Sequence, residues 1–244
     1  MPITTEIAMT SQPGLLKPEI FCALDTADLD QAVLLASKIG PVTGGIKLGL
    51  EFFNANGPEG VLRVQKEAGD AQLFLDLKYH DIPNTVAGAV RAVCSKVAPA
   101  YLNVHASGGA EMMRAARVAC PAGTKILAVT LLTSLDEVEV VRAGFRPGVT
   151  DRVEQLALLA QGEGMDGVVC SAHEIERLRA ACGPDFILMV PGIRPEGAAS
   201  GDQKRVMTPQ QARAAGASHL VIGRPITGED DPAARAKEIL KSLR

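Results

Sequence analysis

The chain has 244 residues, of which 47% are hydrophobic, and its 25 basic and 28 acidic residues give a formal net charge of −3. This balance excludes a general attraction to nucleic acid or to an anionic membrane, and no apolar run approaches the roughly 20 residues that cross a bilayer. We therefore predict one cytoplasmic domain that binds a small anionic molecule, with neither nucleic acid nor membrane as a partner.

The first residues of the chain differ in character from the rest. Residues 1–18 lack the basic start and apolar centre of a secretory signal. We predict that they form a loosely ordered N-terminal extension and that residues 19–244 form the catalytic domain. The five cysteines are odd in number, scattered and without a Cys-x-x-Cys pair. This pattern supports neither a disulfide framework nor a zinc site.

Short apolar segments typical of β-strands recur eight times, with helix-like segments between most of them. Alternating strands and helices indicate parallel crossover units, and eight units in a chain of about 250 residues favour a closed (β/α)8 barrel, the TIM barrel. An open doubly wound sheet is the alternative, but the first strand is followed by Asp25-Thr26-Ala27 rather than a glycine-rich dinucleotide loop. The predicted strands are 20–24, 45–50, 73–77, 101–104, 126–132, 167–170, 186–190 and 219–222.

Charged residues accompany the first two predicted strands. Asp25 follows the first strand, where it could either cap the next helix or contribute to a site. Lys47 lies inside the apolar second strand. Because a closed barrel has no edge from which a lysine could reach solvent, we predict that Lys47 pairs with a carboxylate at the mouth of the barrel.

The third predicted strand ends in the run DLKYHDIPNT, from Asp76 to Thr85. Residues two apart in a strand point to the same face, so Asp76 and Lys78 should project together at the carboxyl end of the barrel, where enzymes of this fold build their sites. Pro83 is suited to the first turn of the following helix, and Thr85 could be a local hydrogen-bonding residue there.

The later strand ends suggest a phosphate site. Thr133 follows the fifth strand, Arg194 follows the seventh, and Gly223-Arg224 follows the eighth. The loops after the last two strands of such barrels often bind phosphate through backbone amides, and an arginine adds a fixed positive fork. The loop 191–207 is long, rich in Gly and Pro, and carries Gln203. We predict that it closes over the site as a lid.

The four histidines have neither metal-ligand spacing nor a partnered nucleophile. We interpret them as structural or solvent-facing and predict no metal site.

Taken in order, these motifs resemble those of the orotidine 5′-phosphate decarboxylases, which convert orotidine monophosphate to uridine monophosphate (UMP). The resemblance extends from residue 21 to about residue 228, and the Asp-x-Lys-x-x-Asp-Ile-Pro-Asn-Thr element is its most specific part. The other matching segments are residues 23–25, 46–49, 132–134, 191–195 and 222–225.

The resemblance implies roles around the base and the ribose. Asp25 and Lys47 would bind the ribose hydroxyls, and Thr133 would lie near the base. Lys78 would deliver a proton to C6 of the pyrimidine, and Asp76 would stand beside the departing carboxylate. Neither a metal nor an organic cofactor is implied.

The resemblance also implies a phosphate grip and a partner subunit. Asp81 and Thr85 would reach into the neighbouring subunit's site, which predicts a homodimer with shared active sites. Four residues would hold the phosphate, namely Arg194, Gln203, Gly223 and Arg224.

Two other interpretations remain open from the sequence. Related keto-gulonate phosphate decarboxylases and hexulose phosphate synthases share the Asp-x-Lys-x-x-Asp pattern but use Mg2+, and the Ile82–Thr85 continuation with the Arg194 loop argues against them. A catalytically silent nucleotide-binding or scaffold protein on the same barrel would need a broken charged tetrad. Here Lys47, Asp76, Lys78 and Asp81 are all present.

Overall fold

The computed structural model describes residues 19–196 and 207–244. The predicted extension, 1–18, lies outside the described residues, as does most of the predicted lid, including Gln203. Eight parallel strands form one closed barrel, in which β8 pairs back onto β1. The prediction of a single (β/α)8 barrel is confirmed. The strands are β1 Ile20–Ala23, β2 Gly45–Gly49, β3 Gln72–Tyr79, β4 Tyr101–His105, β5 Lys125–Val129, β6 Gly167–Val169, β7 Ile187–Val190 and β8 His219–Ile222.

The strand bounds agree closely with the apolar segments, with one clear difference. β5 ends at Val129, not at residue 132. The backbone N–H of Thr130 still donates to the carbonyl of Val169, but the chain then turns, and the N–H of Leu135 donates to the carbonyl of Leu132. The apolar run therefore continues past the strand into the loop that carries Thr133.

Helices follow the strands and cover the outside of the barrel. The Asp28 side chain caps α1 by accepting from the backbone N–H of Gln31, and Pro83 occupies the first turn of α3, where its missing N–H costs nothing. Among the described helices, none combines the length and the apolar character that a bilayer crossing requires. The helices are α1 Leu29–Thr43, α2 Leu50–Glu67, α3 Pro83–Val97, α4 Ala110–Ala119, α5 Glu137–Arg142, α6 Val149–Gly162, α7 Ile175–Cys182, α8 Pro209–Ala214, α9 Arg224–Thr227 and α10 Pro232–Ser242.

The amino half of the barrel interior is filled by aromatic rings. Phe21 contacts Phe74, Tyr101 and His219 edge to face, with ring centroids 5.2–6.1 Å apart. The Tyr101 hydroxyl lies 3.1 Å from Nε2 of His219. We call these four residues the aromatic plug. Because the plug fills the barrel at this end, a ligand can enter only from the carboxyl ends of the strands.

Candidate active site

A cavity of about 250 Å³ lies at the carboxyl ends of the strands. Its floor is apolar and includes Phe74 of the aromatic plug, whereas its walls carry charged and polar groups. Eight of the residues predicted from the sequence line it, namely Asp25, Lys47, Asp76, Lys78, Thr133, Arg194, Gly223 and Arg224.

Charges of alternating sign cross the cavity. Lys47 Nζ lies 2.9 Å from Asp25 Oδ1 and 3.6 Å from Asp76 Oδ2, and Lys78 Nζ lies 2.7 Å from Asp76 Oδ1. The side chains of Lys47 and Asp76 are only 9% and 13% exposed, so neither charge could be satisfied by water alone. The structure thus gives Lys47 two carboxylate partners at the mouth. Since Asp28 caps α1, Asp25 is not needed for that purpose.

The ion pairs outweigh burial in setting the protonation of the two buried groups. Burial alone would lower the pKa of Lys47, but Asp76 and Asp25 attract its charge and raise the pKa above its usual value. Burial alone would raise the pKa of Asp76, but Lys47, Lys78 and a hydrogen bond from Asn103 lower it below its usual value. Both side chains are therefore charged at neutral pH.

Strand β3 is irregular where it carries Asp76 and Lys78. It pairs with β4 at Leu75↔Leu102 and again at Tyr79↔Val104, so four steps along β3 match two steps along β4. Lys78 has φ 49°, a left-handed conformation that residues other than glycine seldom adopt. Asp76 keeps a regular register with Gly49 of β2, whereas Lys78 lies within the bulge on the β4 side. Both side chains reach the same cavity, but regular alternation along β3 does not account for the position of Lys78.

The amide of Asn103 spans this bulge. Its Nδ2 donates to Asp76 Oδ1 at 2.7 Å, and its Oδ1 accepts from the backbone N–H of Lys78, also at 2.7 Å. The sequence analysis missed Asn103. The signal was present, because an asparagine inside the apolar strand Tyr101–His105 must bury an amide, and buried amides need partners.

Two glycines allow the close packing at the mouth. A Cβ on Gly49 would lie 3.0 Å from Lys47 Nζ, and a Cβ on Gly223 would lie 3.3 Å from the Cβ of Ala23. Gly223 directly precedes α9 and so places Arg224 at the cavity. Across the mouth, the backbone N–H of Arg194 donates to the carbonyl of Met207, which holds together the two described ends of the 191–207 loop.

Asp81 and Thr85 do not reach the cavity of their own chain. Asp81 is exposed, and its Oδ1 accepts from the backbone N–H of Ile82 at 2.6 Å. Thr85 is exposed in the first turn of α3. The structure therefore brings three members of the predicted tetrad together within one chain and leaves the fourth, Asp81, on the surface.

The histidines and the acidic groups form no metal site in the part of the chain that the structure describes, where no group of three or more His, Cys, Asp or Glu residues could hold an ion. His105 ends β4, and its ring lies 5.3 Å from that of His80. Burial, then His80 and Lys78, lower the pKa of His105, which favours its neutral form.

Comparisons with known proteins show which family the chain resembles. The model of the "Orotidine 5'-phosphate decarboxylase / HUMPS family" matches residues 18–239. The chain is 54% identical to an orotidine 5′-phosphate decarboxylase of Rhodospirillum rubrum, covering 90% of this chain and 92% of the relative. It is 48% identical to that of Paramagnetospirillum magneticum, with 92% and 97% covered.

A solved structure gives the same result. The crystal structure of orotidine 5′-phosphate decarboxylase from Lactobacillus acidophilus superimposes with a TM-score of 0.80 at 35% identity, covering 93% of this chain and 99% of that one. The prediction of an enzyme of the carboxy-lyase class is confirmed by these relatives. The chain therefore belongs to the orotidine 5′-phosphate decarboxylase / HUMPS family.

Proposed function

We propose that the protein decarboxylates orotidine 5′-monophosphate to UMP, the last step of de novo UMP synthesis, without a metal or an organic cofactor. The observation that carries this proposal is the row of charges Lys47–Asp76–Lys78 inside the cavity, with contacts of 3.6 and 2.7 Å, which we call the charged line. The names of the relatives support the same substrate.

Loss of CO2 from C6 of the pyrimidine leaves a carbanion in the ring plane, which the π system cannot delocalise. The protein must therefore supply fixed positive charge and a proton, and Lys78 can supply both. Its side chain is 27% exposed at the cavity, and Asp76 holds its ammonium group at 2.7 Å. We assign Lys78 as the proton donor to C6 and Asp76 as the group beside the departing carboxylate.

The remaining cavity residues suit the other parts of the nucleotide. Asp25 and Lys47 form an acceptor–donor pair of the kind that binds ribose hydroxyls. Thr133 would lie near the base. The backbone at Gly223 and the guanidinium groups of Arg194 and Arg224 would hold the phosphate. Gln203, which lies outside the described residues, remains part of the proposed phosphate grip.

We further propose that metal ions take no part in the reaction. Mg2+ prefers carboxylate ligands, and the two carboxylates at the mouth, Asp25 and Asp76, are each within 2.9 Å of a lysine Nζ. These ammonium groups occupy the positions from which the carboxylates would bind a cation.

A homodimer with shared sites forms part of the proposal. Asp81 and Thr85 lie on a surface that also exposes apolar side chains, with Ile82 67% exposed before α3 and Val118 83% exposed on α4. Contact with a second copy would bury this surface and bring Asp81 to the partner's cavity.

A cytoplasmic location is the last part of the proposal. All five cysteines are buried free thiols, which suits a reducing compartment.

The activity is tested by following the absorbance of orotidine monophosphate after purified protein is added in the presence of EDTA, with UMP identified by chromatography. We expect full turnover. Activity that disappears with EDTA and returns with Mg2+ would instead assign the chain to the magnesium-dependent enzymes on the same barrel. A cavity that binds the nucleotide without turnover would favour the silent binding protein.

The shared site is tested separately by mixing two inactive variants, Lys78→Ala and Asp81→Ala, under conditions of subunit exchange. If Asp81 serves the neighbouring site, each mixed dimer has one intact site, and activity returns to about a quarter of the wild-type level for random pairing. If subunit exchange is demonstrated and no activity returns, Asp81 acts within its own chain and the shared-site proposal is wrong.

A further inference from the structure

Asn103 is a polar side chain with no exposed surface in the middle of an apolar strand. Burying an amide is unfavourable unless its donor and acceptor are both used. Here both are used, and both partners belong to the strand that carries the proposed chemistry, because the amide bridges the carboxylate of Asp76 and the backbone of Lys78 at 2.7 Å each.

The bulge in β3 explains why such a bridge is required. Between Leu75↔Leu102 and Tyr79↔Val104 the two strands are out of step, so the ladder cannot satisfy every backbone group of β3. Asn103 accepts from the backbone N–H of Lys78, the residue with φ 49°. The hydrogen bond thus supports a left-handed conformation that the Lys78 side chain would otherwise disfavour.

The second hydrogen bond orients the carboxylate. Asp76 Oδ1 accepts hydrogen bonds from Lys78 Nζ and from Asn103 Nδ2, while its Oδ2 faces Lys47. Because the amide is uncharged, it fixes the carboxylate without competing with the two lysines for its charge. Asn103 itself is not among the residues that line the cavity.

We propose that Asn103 is a positioning residue for the decarboxylation. It holds the bulge so that Asp76 Oδ1 and Lys78 Nζ meet in one geometry before substrate binds, and it acts only through these two residues. This inference rests on the proposed function, which gives Lys78 the proton transfer, but the geometry it describes is independent of the substrate.

The test compares Asn103→Ala, Asn103→Asp and a control, Thr124→Val. Thr124 is also buried and donates to the carbonyl of Pro99 at 2.7 Å, at the opposite end of the barrel. Each variant is measured for kcat and KM with orotidine monophosphate, for the Kd of UMP, for Tm and for the pH dependence of kcat.

We expect Asn103→Ala to lower kcat about 10- to 100-fold, the usual effect of removing an orienting partner, while the Kd of UMP changes by less than about threefold. The hydrogen bond from Asn103 helps to lower the pKa of Asp76, so its loss should raise that pKa. The acidic limb of the pH profile of kcat should therefore move to higher pH. The other charged or titratable groups around Asp76 are Lys47, Lys78, His105 and, through Lys47, Asp25. Thr124→Val should lower Tm and leave kcat and the pH profile unchanged.

Asn103→Asp keeps the size of the side chain and the acceptor for the Lys78 N–H, so it tests the second bond alone. Its ionised carboxyl repels Asp76, whereas its protonated carboxyl can donate to Asp76 as the amide does. We therefore expect kcat of this variant to recover as the pH falls, a direction opposite to that of Asn103→Ala.

Two results would overturn the proposal. One is that kcat in both Asn103 variants stays within twofold of wild type. The other is that kcat falls together with Tm while the pH profile of kcat stays unchanged, which is the pattern of a general loss of stability. The titration of Asp76, followed by 13C NMR of its carboxyl carbon, requires no turnover. If wild-type protein does not decarboxylate the nucleotide, the proposed function fails, and an Asp76 pKa unchanged by Asn103→Ala would show that the positioning role fails as well.

Discussion

The barrel interior is apolar at one end and charged at the other, although the same strands build both. Phe74 of the aromatic plug and Asp76 of the charged line are two residues apart on β3, and Tyr101 and Asn103 are two apart on β4. Inward-facing positions recur every second residue along each strand. On both strands, therefore, an aromatic residue faces inward near the amino end and a polar residue faces inward at the next such position. Because the plug closes the interior below the cavity, the buried charges have to be compensated by one another.

The largest effect should come from the charged end. Replacing Lys78 with Ala is expected to lower kcat about 10⁴-fold or more, since it removes both a proton donor and a fixed charge, while UMP still binds. Rapid-quench turnover and UMP titration measure the two quantities. Lys96→Ala on the exposed side of α3 is the control. A kcat within tenfold of wild type would mean that Lys78 is not the proton donor.

Arg224→Ala tests whether phosphate binding contributes independently of the charged line. The variant should lose about 10- to 100-fold in kcat/KM for orotidine monophosphate, corresponding to the roughly 1.5–3 kcal/mol of a charged hydrogen bond. Orotidine, which lacks the phosphate, should show almost no change. Arg63→Ala, at an exposed position on α2, is the control. If kcat/KM falls equally with both substrates, Arg224 supports the fold and does not bind the phosphate.

The charged line should also make stability depend on pH. The pKa of Asp76 is lowered in the folded protein, so its contribution is present above its unfolded value of about 4 and is lost as the pH falls through the folded value. Asp76→Asn should reduce the free energy of unfolding by about 3 kcal/mol at neutral pH, because Lys47 and Lys78 lose their shared carboxylate. The difference from wild type in urea titrations should shrink below about pH 4. A difference that is constant down to pH 2 would contradict this.

The smallest effect on activity should come from the aromatic plug. Tyr101→Phe removes the hydrogen bond to His219 and is expected to reduce the free energy of unfolding by about 1–2 kcal/mol, a decrease in Tm of about 3–6 °C. We expect kcat to remain within twofold of wild type. A large loss of kcat at unchanged Tm would show that the two ends of the interior are coupled.

This contrast also explains how much of the molecule could be predicted from its sequence. Apolar periodicity was sufficient for the eight strands, because parallel strands buried on both faces leave a strong local signal. Lys47 was identifiable because a charge inside such a strand requires a partner. The bulge at Lys78 was not, since it depends on how β3 registers with β4, and that register is set by contacts distant in the chain. Asn103 could have been identified as a buried amide, but its partners could not, because they follow from the bulge.

The position of Asp81 shows a second kind of limit. Its sequence motif resembles one that serves a neighbouring subunit, yet within a single chain it only accepts from the N–H of Ile82. If Asp81 serves a neighbouring site, as we propose, no contact within a single chain would reveal that role. The proposal therefore has to be tested with two chains.

The closure of the barrel between β1 and β8 joins segments of the chain that are made far apart in time. Residue pairs such as Ile20↔Leu220 join segments about 200 residues apart, and Gly223 lies beside Ala23 and Asp25. The residues that we propose to bind the ribose and those that we propose to bind the phosphate are therefore translated far apart in time. A growing chain that still lacks β8 also lacks Gly223 and Arg224, the residues proposed to hold the phosphate. We therefore expect affinity for the nucleotide to arise only after β8 has paired with β1, and pairing between strands so distant in sequence is slow.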